Sequence, residues 1–197
     1  ILFSIISEYI DQKEEYRKAF QPFKDNPETF FRYFSDHDKE RNILYNQVQT
    51  WIIDKIPDIN RLFIKLIFAF GDPDLYHPAR NRLLGEVADP EDAYLLNIPF
   101  KELSEAEAED EASKFLKSLG LLLTHHHQCM IICFDQLENL YTPEHKRSFG
   151  LMNQMIFNES SAILPLAFMR TLYWEKFEEI LDKSVIDRLG MNQVDLR

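Results

Sequence analysis

Glycine and cysteine are scarce in this 197-residue chain, and membrane-length apolar runs are missing. The five glycines stand at 71, 85, 120, 150 and 190, and none is followed by lysine. That excludes a phosphate-binding loop of the form GxxxxGK[ST] within residues 1–197. The two cysteines, Cys129 and Cys133, lie four apart. In a strand they would face the same side roughly 13 Å apart, too far for a disulfide. As metal ligands they would need two more partners. His125, His126 and His127 are near, but their spacing matches no zinc pattern. Read as buried free thiols, the cysteines suit a reducing, cytoplasmic compartment. Runs such as Leu62 to Phe70 fall far short of the roughly 20 residues of a membrane span. Positive charge is also in deficit, with 22 Lys and Arg against 33 Asp and Glu and a net charge of −11. That balance speaks against broad binding to nucleic acid or an anionic membrane, though not against a local basic patch. The opening ILFSIISEYI has no initiator Met and no basic stretch, so it does not read as a signal peptide. Starting inside an amphipathic pattern, it is expected to be part of a longer polypeptide.

What the chain does have is enough apolar material for a sizeable core. It is 45% hydrophobic and carries 16 phenylalanines, which points to a packed, helix-rich protein. Apolar positions at helical spacing run through Ile5, Ile6, Tyr9, Ile10, Tyr16 and Phe20, with Pro22 and Pro27 as punctuation. Further helices are expected over 29–34, from Lys39 to Ile56, from Asp58 to Phe70 and from Ala79 to Leu84. Residues 86–102 read as an acidic loop with one helical turn. Ser104 and Glu107 form a capping-box pattern, and the helix they begin is expected to stop at Gly120. Residues 1–120 thus form a helical portion.

Residues 121–197 differ. Cys129 to Phe134 is short, continuous and apolar, the pattern of a strand buried on both faces. Pro143 opens a helix to about 158. Ala162 to Met169 reads as a second buried strand, locally weakened by Pro165. Trp174 to Asp187 reads as helix, and Gln193 to Leu196 as the start of a third strand. Alternating strand and helix predicts a parallel sheet with crossover helices. The fold class is therefore α/β, helix-dominated, with a partial parallel sheet.

The first strand runs directly into Asp135, with Glu138 three residues on. In open α/β sheets ligands bind beyond the carboxyl ends of the strands. A carboxylate at Asp135 can hold Mg²⁺ beside nucleotide phosphates. Glu138, one turn onward, can orient or deprotonate an attacking water. The plainer readings are an N-cap for Asp135 and a first-turn helix acid for Glu138.

The segment CMIICFDQLENL resembles the Walker B stretch of P-loop ATPases of the AAA+ and STAND kind. Many members place the second acid directly after the first. Here Gln136 and Leu137 intervene, a variant similar to STAND-type and related prokaryotic ATPases, some of them in phage-defence systems. The resemblance implies a polar sensor at the end of the next strand, Arg170 or Thr171. It also implies that Arg188, in WEKFEEILDKSVIDRLG, reaches a neighbouring subunit's nucleotide, as a bidentate guanidinium can. ARNRLLGEVADPEDAYLLNIP is similar to a helix-and-turn insert between core strands of such enzymes. The likeness covers about residues 75–197. It implies ATP and Mg²⁺ as cofactors, both requiring a Walker A segment, and hydrolysis coupled to conformational change or assembly. The partners it implies are the rest of a larger polypeptide and, in an assembly, further copies. The 197 residues alone are expected to be inactive.

Each residue also has a plainer role. Arg170 would be a surface cation and Arg188 a helix-terminal one. The aromatics Phe23, Phe30, Phe31, Tyr33 and Phe34 would be core rather than a base-stacking platform. The rival function is a non-catalytic helical interaction module, or a degenerate ATPase kept as a scaffold.

Overall fold

Helical periodicity and local caps account for the first part of the chain. The computed structural model describes residues 1–24, 26–140, 142–170, 179 and 183–190. Within 183–190, the side chains of 184 and 188–190 lie outside the description. The chain divides into two compact units, Ile1–Ser118 and Leu119–Arg197.

In the first unit the helices are α1 (Leu2–Asp11), α2 (Glu14–Lys24), α3 (Pro27–Ser35), α4 (Asp38–Lys55), α5 (Arg61–Phe70), α6 (Tyr76–Leu83) and α7 (Pro90–Leu95). The helix α8 (Glu105–His125) begins in it. The caps are local and chemical. Asn60 Oδ1 accepts the Phe63 N–H at 2.9 Å, and Asp89 Oδ1 accepts the Asp92 N–H at 2.8 Å, each satisfying a first-turn amide. Glu107 Oε2 accepts the Ser104 N–H at 3.0 Å, which is the expected capping box. Lys101 donates to the other oxygen of Glu107 at 2.5 Å. These bonds to Lys101 and Ser104 pull the Glu107 carboxyl down from 4.5 to about 2.

Two prolines act differently from each other. Pro27 sits in the first turn of α3, where its missing N–H costs nothing. Pro22 lies inside α2 and does not end it, contrary to its expected role as punctuation.

The core of this unit is apolar. Ile5, Ile6, Phe30, Val48, Ile52, Ile64 and Leu66 are fully buried. A second cluster joins α5, α6 and α7 through Leu66, Ala69, Ala79 and Leu96. Buried charge is paired. Arg41 donates to Asp72 at 2.8 Å, both nearly inaccessible, and to Asp38 at 3.1 Å. Arg82 is buried against Glu111. Burying either guanidinium alone would cost several kcal/mol, roughly 3–5 on removal of its partner.

Gly120 corrects one expectation. It does not stop α8, which continues to His125. A side chain at 120 would collide with Ser160. The glycine therefore permits close approach of backbone rather than helix termination.

In the second unit β1 (Met130–Phe134) pairs in parallel with β2 (Ile163–Ala167). The helix α9 (Pro143–Glu159) connects them, and α10 (Lys183–Gly190) packs on α9. This is a strand–helix–strand unit with Met130 opposite Ile163 and Phe134 opposite Ala167. Pro165, opposite Ile132, is tolerated because, among the described residues, each strand of the pair has only one neighbour.

The expected burial on both faces is not found. Ile163 and Pro165 are buried, while Ile131, Cys133, Leu164 and Leu166 on the alternate face are exposed. The two thiols are therefore free and exposed, not buried. The reason is that α9 covers one face of the pleat, where Phe134 meets Phe149 edge-on at 5.2 Å. Most of the expected helix at 174–187 and the expected strand at 193–196 lie outside the described residues. Among the described residues no helix is long and apolar enough to cross a membrane.

Candidate functional site

The site stands at the carboxyl end of the parallel pair. Strand pairing continues past the last ladder residues. The Phe168 N–H donates to the Phe134 carbonyl at 2.7 Å, and the Leu137 N–H donates to the Phe168 carbonyl at 3.3 Å. These bonds hold the segment after β1 beside the segment after β2.

Between Asp135 and Glu138 the backbone turns sharply. Gln136 has φ 56° and ψ 42°, a left-handed conformation uncommon for a residue with a side chain. A short 3-10 turn, Leu137–Asn139, follows. Leu137 is buried against Phe149 and Val185. The spacing that separates the two acids thus has a physical cause: Gln136 supplies the reversal, and Leu137 plugs the core.

The acids end in different environments. Asp135 is exposed, and its Oδ1 accepts the N–H of its neighbour Gln136 at 2.8 Å. It does not cap α9. That role belongs to Thr142, whose hydroxyl accepts the His145 N–H at 3.1 Å. Glu138 is mostly buried, with its side chain 14% exposed. Its Oε1 receives Arg170 Nε at 3.3 Å, while Arg170 itself is 76% exposed. The other oxygen, Oε2, is buried and has no hydrogen-bond partner among the described residues. A carboxylate oxygen left without donors in a buried position is costly, about 1–3 kcal/mol or more for a charged group.

Of the five residues singled out in the sequence, the structure brings Glu138 and Arg170 together and sets Asp135 at the same end of β1. Thr171 lies outside the described residues. Arg188 falls within α10, but its side chain is not described. Reasoning from sequence missed the Glu138–Arg170 pair. Its one signal was that each residue closely follows a strand end. It also missed Gln136 and Leu137 as the elements that aim Glu138, for which a lone sequence offers no signal.

The donor set is hard oxygen, which suits Mg²⁺ with one or two protein carboxylates. Asp135 fits that role, being exposed and largely uncommitted. Glu138, already facing a guanidinium, fits better as a group acting on water than as a metal ligand. No family model, curated protein or solved structure matches this chain.

Proposed function

We propose that the second unit is the Mg²⁺-side half of the nucleotide site of a STAND/AAA+-like P-loop ATPase. Its phosphate-cradling loop would be carried elsewhere in a longer polypeptide. One observation supports this reading most. Two adjacent parallel strands end with an exposed acid, a buried acid and an arginine at one edge. A lone capping aspartate would need none of the other features.

In this reading Asp135 holds Mg²⁺, directly or through water, and Mg²⁺ neutralises charge on the phosphates. Glu138 is the acid that orients the attacking water and takes up its proton, a step for which its buried oxygen has to be uncovered. Arg170 holds the other oxygen of Glu138 and so fixes the carboxylate's orientation. Being largely exposed, its guanidinium can also meet a phosphate oxygen. Thr171 is the alternative sensor and Arg188 the arginine offered to a neighbouring copy. The parent would couple nucleotide state to conformational change or assembly.

The test uses the longer polypeptide carrying its own phosphate-binding loop. Mg²⁺-dependent ATP binding is expected there. Glu138→Gln should keep binding and slow turnover by about 10²-fold or more. Asp135→Asn should lose the Mg²⁺ dependence of binding. Unchanged turnover in Glu138→Gln would remove Glu138 from the mechanism. Absence of Mg²⁺-dependent binding in the unsubstituted polypeptide would end the ATPase reading.

A second reading draws on a different observation. The sheet face bearing Ile131, Leu164 and Leu166 is apolar and exposed, whereas parallel sheets are usually covered on both sides. This favours an interaction module or a degenerate ATPase scaffold. In that case the acids would be dispensable, and substitutions on the exposed face would carry the phenotype.

A further inference from the structure

We propose that the aromatic cleft of the first unit is a binding site for an apolar organic cation, a fused or substituted aromatic ring bearing one ammonium group. The cleft lies among α1, α2, α3 and α4 and encloses about 470 Å³. That is within the range of small-molecule pockets, about 300–1,000 Å³.

The lining favours rings. Phe20 and Phe30 are buried at its base, with centroids 5.3 Å apart at an interplanar angle of 75°. Phe23 and Phe34 flank Phe30 at 5.7 Å and 4.6 Å. Tyr33, 44% exposed, also lines the cleft and stacks its ring on His37 at 4.1 Å, which holds it in place. Water in such a space finds few polar partners, and a ring that displaces it gains contact with several aromatic side chains.

The sign of the ligand's charge follows from two independent features. Aromatic faces carry negative quadrupole density and attract cations. Glu40 is the one charged group among the described residues that line the cleft, and it makes no ion pair among them. The chain's net charge of −11 further disfavours an anion. This inference is independent of the proposed ATPase, because every lining residue belongs to the first unit.

The experiment is calorimetric titration of the 197-residue chain with 1-naphthylmethylamine, charged at neutral pH. Its neutral alcohol isostere and 1-naphthoate are the comparisons. Saturable one-to-one binding is expected, with the amine at least about threefold tighter than the alcohol, the scale of one exposed charge pair, and the acid weakest. Glu40→Gln should erase the preference for the amine over the alcohol. Ala19→Trp, which adds an indole at the lining, should abolish binding while the helical circular dichroism is kept. If that variant does not fold, magnetisation transfer from naphthyl protons to Phe and Tyr ring protons in the unsubstituted chain takes its place. No saturable binding overturns the proposal. So does equal affinity for amine and alcohol, unchanged binding in a folded Ala19→Trp, or binding of a basic amphipathic helical peptide without binding of the amine.

Discussion

The two units bury their apolar residues differently. In Ile1–Ser118 the helices close on one another and bury Ile5, Ile52, Ile64 and Leu66 completely. In Leu119–Arg197 the sheet has one covered face and one open face, and both are apolar. The first unit spends its charge on stability, pairing Arg41 with Asp72 inside the core. The second places its charge at a strand end, where Glu138 keeps a buried oxygen without a partner among the described residues. Both units bury polar atoms that have no hydrogen-bond partner among the described residues, Arg41 Nε and Tyr45 Oη in the first and Glu138 Oε2 in the second. What separates the units is the open apolar sheet face of the second.

The largest effect that can break this contrast is at the buried ion pair. Asp72→Ala should destabilise the first unit by about 3–5 kcal/mol, because it strands the Arg41 guanidinium. Urea unfolding followed by circular dichroism measures it, and a loss below about 1 kcal/mol would mean the pair is not buried in solution. Next is Leu137→Ala, expected to cost about 2–5 kcal/mol by opening a cavity against Phe149 and Val185. It should also loosen Glu138, which a change in Arg170 side-chain exchange by nuclear magnetic resonance would register.

Gly120→Ala comes third, at about 1–3 kcal/mol from overpacking against Ser160. Combining it with Ser160→Gly should recover most of the loss in thermal melts. A pH effect follows from Glu107. Its folded carboxyl is depressed to about 2 against an ordinary 4.5. Its stabilising contribution is therefore complete above about pH 4.5 and is lost as pH falls towards 2. Glu107→Gln should flatten that part of the acid limb, as amide exchange at 104–108 would reveal. The smallest effect is the most discriminating for the comparison. Ile131→Thr should change stability by no more than about 0.5 kcal/mol, because Ile131 is 55% exposed. Ile163→Thr, one register step away on the covered side, should cost well over 1 kcal/mol.

Much of the fold was legible in residue order. The helices at 61–70 and 143–159 follow from 3.6-residue apolar spacing and the local caps Asn60 and Thr142, since both signals act within one or two turns. The single turn expected within 86–102 is a six-residue helix capped by Asp89, and 38–55 forms without a side-chain cap. Gly120 was misread because a helix stop and a close approach leave the same letter in a sequence. The thiols were misread for a related reason. A continuous apolar run says that a strand can be buried on both faces, not that two partners are there to cover it. Pro22 was misread because a proline inside a helix leaves its mark only in which backbone group goes unbonded.

The candidate site divides along the same line. That an acid follows β1, that a second acid stands three residues on and that an arginine follows β2 are determined by the sequence alone. The character of the two strands is determined there as well, because side-chain alternation and apolar content are local properties. Tertiary structure decided that the strands are neighbours and parallel, so that Glu138 meets Arg170. It also decided that Gln136 turns left-handed and Leu137 drops into the core, which leaves Asp135 exposed and Glu138 buried. Those outcomes depend on contacts between residues distant in sequence, such as Glu138 with Arg170 and Leu137 with Val185, whose energies exist only once the chain has closed.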